Sequence, residues 1–346
     1  MTRPSVFVFR AVDDSGESHG ALAAAGCAVT VAEEALGPRE LLERARGAHA
    51  LLGATFRGGV IDRAFLESQP QLRIIAKYTI GIDDVDVDAA TDIGMVVTHC
   101  PTEANWGGVA EGTIAAMLTL LKRVRERDAR VKAGGWRSSE LEGVYLGARE
   151  DGYAGITVGI IGLGRVGRRV ATLLAPWRVT VLAHDPYVDA GVFTRYGARR
   201  VDLEALLAQS DVVTLHCSLT PETRGLINAE RLSLMKRDAI LINTARGAIV
   251  DIEALCAAIE RRGLRAALDV LPKEPPPPGA RILTLGDSVL LSPHMVAATQ
   301  GGTLGPAIPW ATADVLAALR GAVPEHVYNV AAVPKWRQRF GGKSLL

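Results

Sequence analysis

Excess charge of one sign is missing from this sequence. Its 39 lysines and arginines are balanced by 38 aspartates and glutamates, leaving a net charge of +1. A chain so neutral has no field for steering nucleic acid or holding an anionic membrane. Long apolar runs are missing too, since none approaches the roughly 20 residues that span a bilayer. The stretch Met1 to Ser5, followed by Val6–Phe9, lacks the apolar length and small-residue cleavage site of a secretion signal, so Val6–Phe9 is expected as a strand. Cysteine is scarce. Cys27, Cys100, Cys217 and Cys256 lie far apart, with no Cys-x-x-Cys pair and no His/Cys cluster at zinc spacing. That pattern fits reduced thiols in a cytoplasm, and no metal site is expected. Internal repeats are absent as well.

What is present is apolar and alternating. Hydrophobic residues make up 48% of the 346 positions, enough for two sizeable cores. Strand-length apolar runs alternate with helical patterns, which predicts an α/β fold with open parallel sheets. Six strands are expected in the middle of the chain, at Ile156–Ile161, Val179–Ala183, Asp211–Leu215, Ala239–Asn243, Arg265–Asp269 and Val289–Leu291. Their near-continuous Val/Ile/Leu content suits burial on both faces. Helices are expected between them, at Arg165–Leu174, Asp202–Ala208, Ala229–Met235 and Asp251–Glu260. The first hundred residues repeat the pattern, with strands expected at Val6–Phe9, Ala28–Val31, Ala50–Leu52, Leu72–Ala76 and Met95–Thr98.

The expected division is a six-stranded Rossmann domain, 104–300, inserted in a smaller flavodoxin-like domain of 1–103 and 301–346. The small-residue helix Gly107–Leu121 carries the chain from one to the other. Gly301-Gly302 opens the return linker, and Trp310–Leu319 reads as a helix of the first domain. The tail Lys335–Phe340 is expected to fray, or to cover a cleft or a partner subunit.

The first of the six strands runs into Gly162-Leu163-Gly164-Arg165-Val166-Gly167, a G-x-G-x-x-G between strand and helix. Gly162 permits the tight turn, Gly164 lets backbone approach a pyrophosphate, and Gly167 lets helix and strand pack closely. The helix N-terminus then offers free N–H groups to phosphate. Asp185 ends the next strand about 23 residues after Gly162, near the spacing of an acid on the adenosine ribose. A carboxylate there accepts from ribose hydroxyls and repels a 2′-phosphate, so NAD is expected over NADP.

In open α/β sheets, ligands gather beyond the carboxyl ends of the strands. Reading those ends places Arg246 after the fourth strand, Glu274 after the fifth and His294 after the sixth. Hydride chemistry on a 2-hydroxy acid needs these three types. A guanidinium holds a carboxylate bidentately. An imidazole exchanges the hydroxyl proton near neutral pH. A carboxylate beside the imidazole orients it and stabilises its charged form.

Four ordered stretches, Gly162–Gly167, Asn243–Gly247, Ala267–Val270 through Glu274-Pro275, and Ser292-Pro293-His294, resemble the D-isomer-specific 2-hydroxyacid dehydrogenases, of phosphoglycerate dehydrogenase-like kind. The resemblance runs over nearly the whole chain. It implies Arg246 as the carboxylate and carbonyl binder, His294 as proton donor and acceptor, and Glu274 as its partner. It implies further cofactor contacts by Arg165, Val166, Cys217, Thr223, Thr244 and Asp269. Tyr78–Asp83 is similar to the family's Gly-rich substrate loop, whose amides near Ile80 and Gly81 would hold the carboxylate as an anion nest. Lys77, just before it, is a candidate reader of a second acidic group. The resemblance also implies a homodimer, with Gly107–Leu121 as a candidate face. One departure concerns the interdomain helix. Gly108-Val109-Ala110-Glu111-Gly112 lacks the His that the family often has in Ser-Val-Ala-Glu-His.

The expected protein is therefore a cytoplasmic NAD-dependent oxidoreductase. It would transfer hydride between the nicotinamide and C2 of a small D-2-hydroxy or 2-keto acid, in a cleft between its domains. The alternative is a non-catalytic NAD(H)-sensing binding protein on the same fold. A phosphonate or other inorganic-acid dehydrogenase is a third reading.

Overall fold

The computed structural model describes residues 3–12, 19–300, 302 and 304–346. Met1, Thr2 and Gly301, on which the leader and linker expectations partly fall, lie outside these residues. The chain forms two compact units, Met1–Asn105 with Thr299–Leu346, and Trp106–Ala298.

In the first unit, strands β1 (Ser5–Arg10), β2 (Ala28–Val31), β3 (Ala50–Gly53), β4 (Ile74–Lys77) and β5 (Val96–Thr98) form one sheet. Its order is β2-β1-β3-β4-β5 and every pairing is parallel. The residues of β1 alternate between faces, as a strand must. Val6 and Val8 enter one core with Trp336, while Phe7 and Phe9 enter another with Leu41 and Leu66. Both faces are therefore covered by helices, which is why apolar runs rather than alternation mark these strands.

The C-terminal tail departs from expectation. It is a helix, Val333–Phe340, docked on the first unit. The Trp336 ring is fully buried, and its indole N–H donates to the Arg73 carbonyl at 2.7 Å. A buried Trp whose N–H is satisfied anchors a segment rather than letting it fray.

In the second unit the strands are β6 (Thr157–Ile161), β7 (Thr180–His184), β8 (Arg199–Arg200), β9 (Val212–Leu215), β10 (Ile240–Asn243), β11 (Arg265–Leu268) and β12 (Val289–Leu291). The sheet is parallel, in the order β12-β11-β10-β9-β6-β7-β8. It has seven strands rather than the six expected. The seventh, β8, is two exposed arginines on the edge, with no apolar run to announce it. The helix Ala190–Arg195 was also not anticipated.

Order reverses between β6 and β9. The chain leaves β6 toward β7 on one side and resumes from β9 toward β12 on the other. Crevices for ligands form at such a switch, beyond the carboxyl ends of the strands. The helix Glu103–Leu121 starts one turn earlier than expected. Among the described residues no helix is long and apolar enough to cross a membrane.

Candidate active site

The turn after β6 behaves as its glycines require. Gly162 has φ +92°, a left-handed conformation that costs glycine little. A Cβ there would lie 2.6 Å from the Cys217 nitrogen, so only glycine lets this turn approach the end of β9. A Cβ on Gly167 would run into the Gly162 carbonyl, which enforces glycine where helix meets strand. Among the described residues nothing lies within 4 Å of such a Cβ at Gly164, which leaves room for a ligand to approach the backbone. Gly164 is also the N-cap of the helix Arg165–Leu174, and no side chain caps that end. Its first-turn N–H groups are left for an anion. Arg165 is exposed there, and Val166 packs partly into the core.

Asp185 sits just past β7. Its Oδ2 accepts from the Leu163 amide at 2.8 Å and its Oδ1 from the Tyr187 amide at 2.9 Å. The carboxylate thus fixes the glycine turn from beside it, and its remaining lone pairs are left to accept from ribose hydroxyls. These features fit NAD.

The end of β9 carries His216 and Cys217. Burial pushes the His216 imidazole down to about 3, so the ring is neutral, with Nε2 2.9 Å from the Thr214 hydroxyl. Burial likewise pushes the Cys217 thiol up to about 11, with Asp185 adding to the shift. Cys217 is therefore an unreactive thiol against the glycine turn. Thr223 closes its own turn. Its hydroxyl donates to the Ser218 carbonyl at 2.7 Å and accepts from the Thr220 amide at 2.8 Å. The Thr223 hydroxyl proton is thus engaged within the turn.

After β10, Asn243 organises the loop that presents Arg246. The Asn243 side chain donates to the Arg246 carbonyl at 2.9 Å and accepts from the Ala245 amide at 3.0 Å. Asn243 is 1% exposed, a loop organiser that its place in the Asn243–Gly247 stretch does not by itself reveal. Thr244 shares a 3.0 Å contact with the Thr113 hydroxyl. Thr113 donates its one proton to the Val109 carbonyl, so Thr244 is the donor in this pair. Arg246 itself is partly buried, and one guanidinium nitrogen donates to the Ala245 carbonyl at 2.7 Å. A Cβ on Gly247 would overlap the Leu271 carbonyl group. That close approach packs the Arg246 loop onto the segment leading to Glu274.

His294 and Glu274 meet. His294 Nδ1 lies 2.8 Å from Glu274 Oε2, while Glu274 Oε1 accepts from the Leu271 amide at 2.9 Å. The carboxylate is held by its own loop and in turn orients the ring. His294 has φ +56°, a conformation that costs a non-glycine residue on the order of 1 kcal/mol.

Asp269 holds it there. Its carbonyl accepts from the His294 amide at 2.8 Å, and its Oδ1 accepts from the Met295 and Val296 amides at 2.9 and 3.0 Å. Asp269, implied as a cofactor contact, is in this structure the anchor of the histidine loop. The small residues of the helix Glu103–Leu121 serve the same loop. A Cβ on Gly112 would lie 2.6 Å from the Val296 carbonyl oxygen, and one on Gly108 3.0 Å from that of Ala297. The absence of the family's His at position 112 thus makes room for Val296.

In the first unit, β4 runs into the Tyr78–Asp83 loop. Ile80 and Gly81 are half-buried. Lys77 requires a correction. It is neither solvated nor available to an acidic substrate group. Its side chain is 0% exposed, and its ammonium donates to Asp84 Oδ2 and to the Ala54 carbonyl. Burial lowers its pKa, opposed by the Asp84 charge. A buried ammonium survives by being paired, and nothing in the sequence marks the partner seven residues on.

A glycine turn at an uncapped helix N-terminus, an acid beside it and a carboxylate-braced imidazole, all on one parallel sheet, are the parts that a nicotinamide-linked dehydrogenase needs. Comparison with known proteins agrees. The model of the D-isomer specific 2-hydroxyacid dehydrogenase NAD binding domain matches residues 114–296. Glyoxylate reductase of Thermofilum pendens is 36% identical over 95% of each chain. D-3-phosphoglycerate dehydrogenase of Methanocaldococcus jannaschii is 34% identical over 86% of this chain, which spans about 54% of that protein's length. The crystal structure of D-lactate dehydrogenase from Aquifex aeolicus, complexed with NAD and lactic acid, superposes with a TM-score of 0.78 at 30% identity, covering 90% of this chain and 94% of that one. The chain belongs to the D-isomer specific 2-hydroxyacid dehydrogenase family, and its cofactor is NAD.

Proposed function

We propose that this protein reversibly oxidises a small D-2-hydroxy acid to its 2-keto acid with NAD. The observation that carries the reading is the 2.8 Å contact of His294 with Glu274, on the sheet whose first turn fits the dinucleotide. When bound, the nicotinamide supplies hydride in reduction and takes it up in oxidation. Arg246 holds the substrate carboxylate and polarises the C2 carbonyl, as its fixed, permanently charged fork allows. His294, with Nδ1 bound to Glu274, gives a proton from Nε2 to the forming hydroxyl and recovers it in the reverse direction. The Ile80 and Gly81 amides of the Tyr78–Asp83 loop are the proposed anion nest for an acid's carboxylate. Gly164, Arg165, Val166 and Asp185 hold the cofactor, with Thr244 and Cys217 lining it.

Commitment of Lys77 to Asp84 supports a singly charged acid, of the size of glyoxylate or pyruvate, over a phosphorylated one. The four free cysteines support a cytoplasmic setting. No observation favours the non-catalytic sensor.

The test is a panel of 2-keto acids, phosphorylated and not, followed at the NADH absorbance. His294→Ala and Arg246→Ala are each expected to lose turnover by about a hundredfold or more while still binding NADH. Unchanged turnover in His294→Ala would refute the proton-donor role. Tight NADH binding with no acid reduced would refute the enzyme reading.

A further inference from the structure

The Tyr78–Asp83 loop of the first unit is fastened by its carbonyls. The Thr79 carbonyl accepts from the Cys100 amide at 3.0 Å, and that of Ile82 accepts from the Val85 amide at 3.0 Å. The Gly81 carbonyl accepts from the Thr79 hydroxyl at 2.7 Å. The Ile80 carbonyl faces His99 Nδ1 at 3.2 Å. A carbonyl can only accept, so Nδ1 carries the proton. Four successive carbonyls are thus engaged by the protein. At the base of the loop, the buried Lys77–Asp84 pair ties its entrance to its exit, and Asp84 Oδ2 also accepts from the Phe56 amide.

Peptide planarity turns these bonds into a statement about the amides. In a trans peptide, C=O and N–H point in opposite directions. Drawing in the Thr79 carbonyl turns the Ile80 N–H outward, and drawing in the Ile80 carbonyl turns the Gly81 N–H outward. Two adjacent outward N–H groups make an anion nest. Main-chain bonds and a local hydroxyl hold the other three carbonyls. The Ile80 carbonyl, which sets the Gly81 amide, is held by a side chain from another strand's end.

We propose that His99 is a positioning residue that aims the Gly81 amide at the substrate carboxylate by holding the Ile80 carbonyl. This rests on the function proposed above and adds a residue to it. His99 would act through the loop rather than on the reacting atoms. Its ring is fixed edge-on to Tyr328, with centroids 5.2 Å apart, and its own amide donates to the His326 carbonyl at 3.2 Å. A ring so held keeps Nδ1 on the Ile80 carbonyl.

The geometry selects the variants. An Asn amide nitrogen stands where His Nδ1 stands, whereas a Gln amide reaches the position of Nε2. His99→Asn therefore keeps the bond and His99→Gln loses it. Kinetics with glyoxylate and pyruvate are measured for the parent, His99→Asn, His99→Gln and His99→Leu, with NADH affinity followed by fluorescence. For His99→Gln and His99→Leu, KM for the keto acid is expected to rise about tenfold, with kcat and NADH affinity within about twofold. His99→Asn is expected to recover most of the parental KM. An unchanged KM in His99→Gln overturns the inference, and so does a His99→Asn as impaired as His99→Leu, which would mean the ring only fills space. A parent protein that reduces no keto acid overturns the functional reading and this inference with it. Parental turnover with either failing pattern overturns the inference alone.

Discussion

Asp185, the proposed ribose acid, also has a structural task. Its spacing from Gly162 alone marks it as the ribose acid. The structure adds that it accepts from the Leu163 and Tyr187 amides, so it also shapes the glycine turn after β6. In Asp185→Ser the ribose loses a charged acceptor and a 2′-phosphate meets less repulsion. A charge-assisted bond of this kind carries about 1.5–3 kcal/mol, so kcat/KM for NADH is expected to fall about tenfold or more. The ratio of NADPH to NADH activity should rise. Steady-state kinetics with both cofactors measure it, and a variant that still rejects NADPH as the parent does would assign the preference elsewhere. The place of such a residue beside the glycine turn is legible because spacing along the chain sets it. Lys77, Asn243 and Asp269 are not legible in their actual roles. Each acts on a neighbouring segment, through a buried pair or backbone amides that no local pattern announces.

Among the elements, the helix Glu103–Leu121 shows what a small residue is for. Gly112 lies mid-helix, where alanine would ordinarily stabilise by about 1 kcal/mol. Here the new methyl would press on the Val296 backbone at 2.6 Å, and overpacking of this kind costs about 1–3 kcal/mol. The crowding outweighs the gain in helix propensity and decides the sign. Gly112→Ala is expected to lower the melting temperature by a few degrees and to lower kcat, because Val296 belongs to the loop that Asp269 anchors beside His294. Thermal denaturation and turnover report both, and a more stable, fully active variant would show that the loop yields freely. The long, apolar elements are legible because both faces of each sheet are covered. The edge strand β8 and the short helix Ala190–Arg195 are not, because an exposed two-residue strand and a six-residue helix bury too little to leave a period.

For the molecule as a whole, self-association is the property that composition could not locate. The sequence pointed to the small residues of Gly107–Leu121 as the face of a homodimer. In the structure, Gly108 and Gly112 of that helix receive Val296 and Ala297 of the same unit, so their smallness is explained without a partner. Exposed apolar side chains lie just downstream of that helix. Val131 and Trp136 are 53% and 69% exposed and line one surface hollow with Arg127 and Leu141. Trp and Arg are among the residue types enriched at protein interfaces. A second copy of the chain is the proposed occupant. A dimer of this kind needs a central anchor, and Trp136 is the largest apolar candidate. Trp136→Glu is therefore expected to convert a dimer into a monomer in sedimentation at micromolar concentration. The fold should survive, since the ring contributes nothing to the described cores. A parent protein that sediments as a monomer would remove the dimer. A variant that remains dimeric would move the interface to another face.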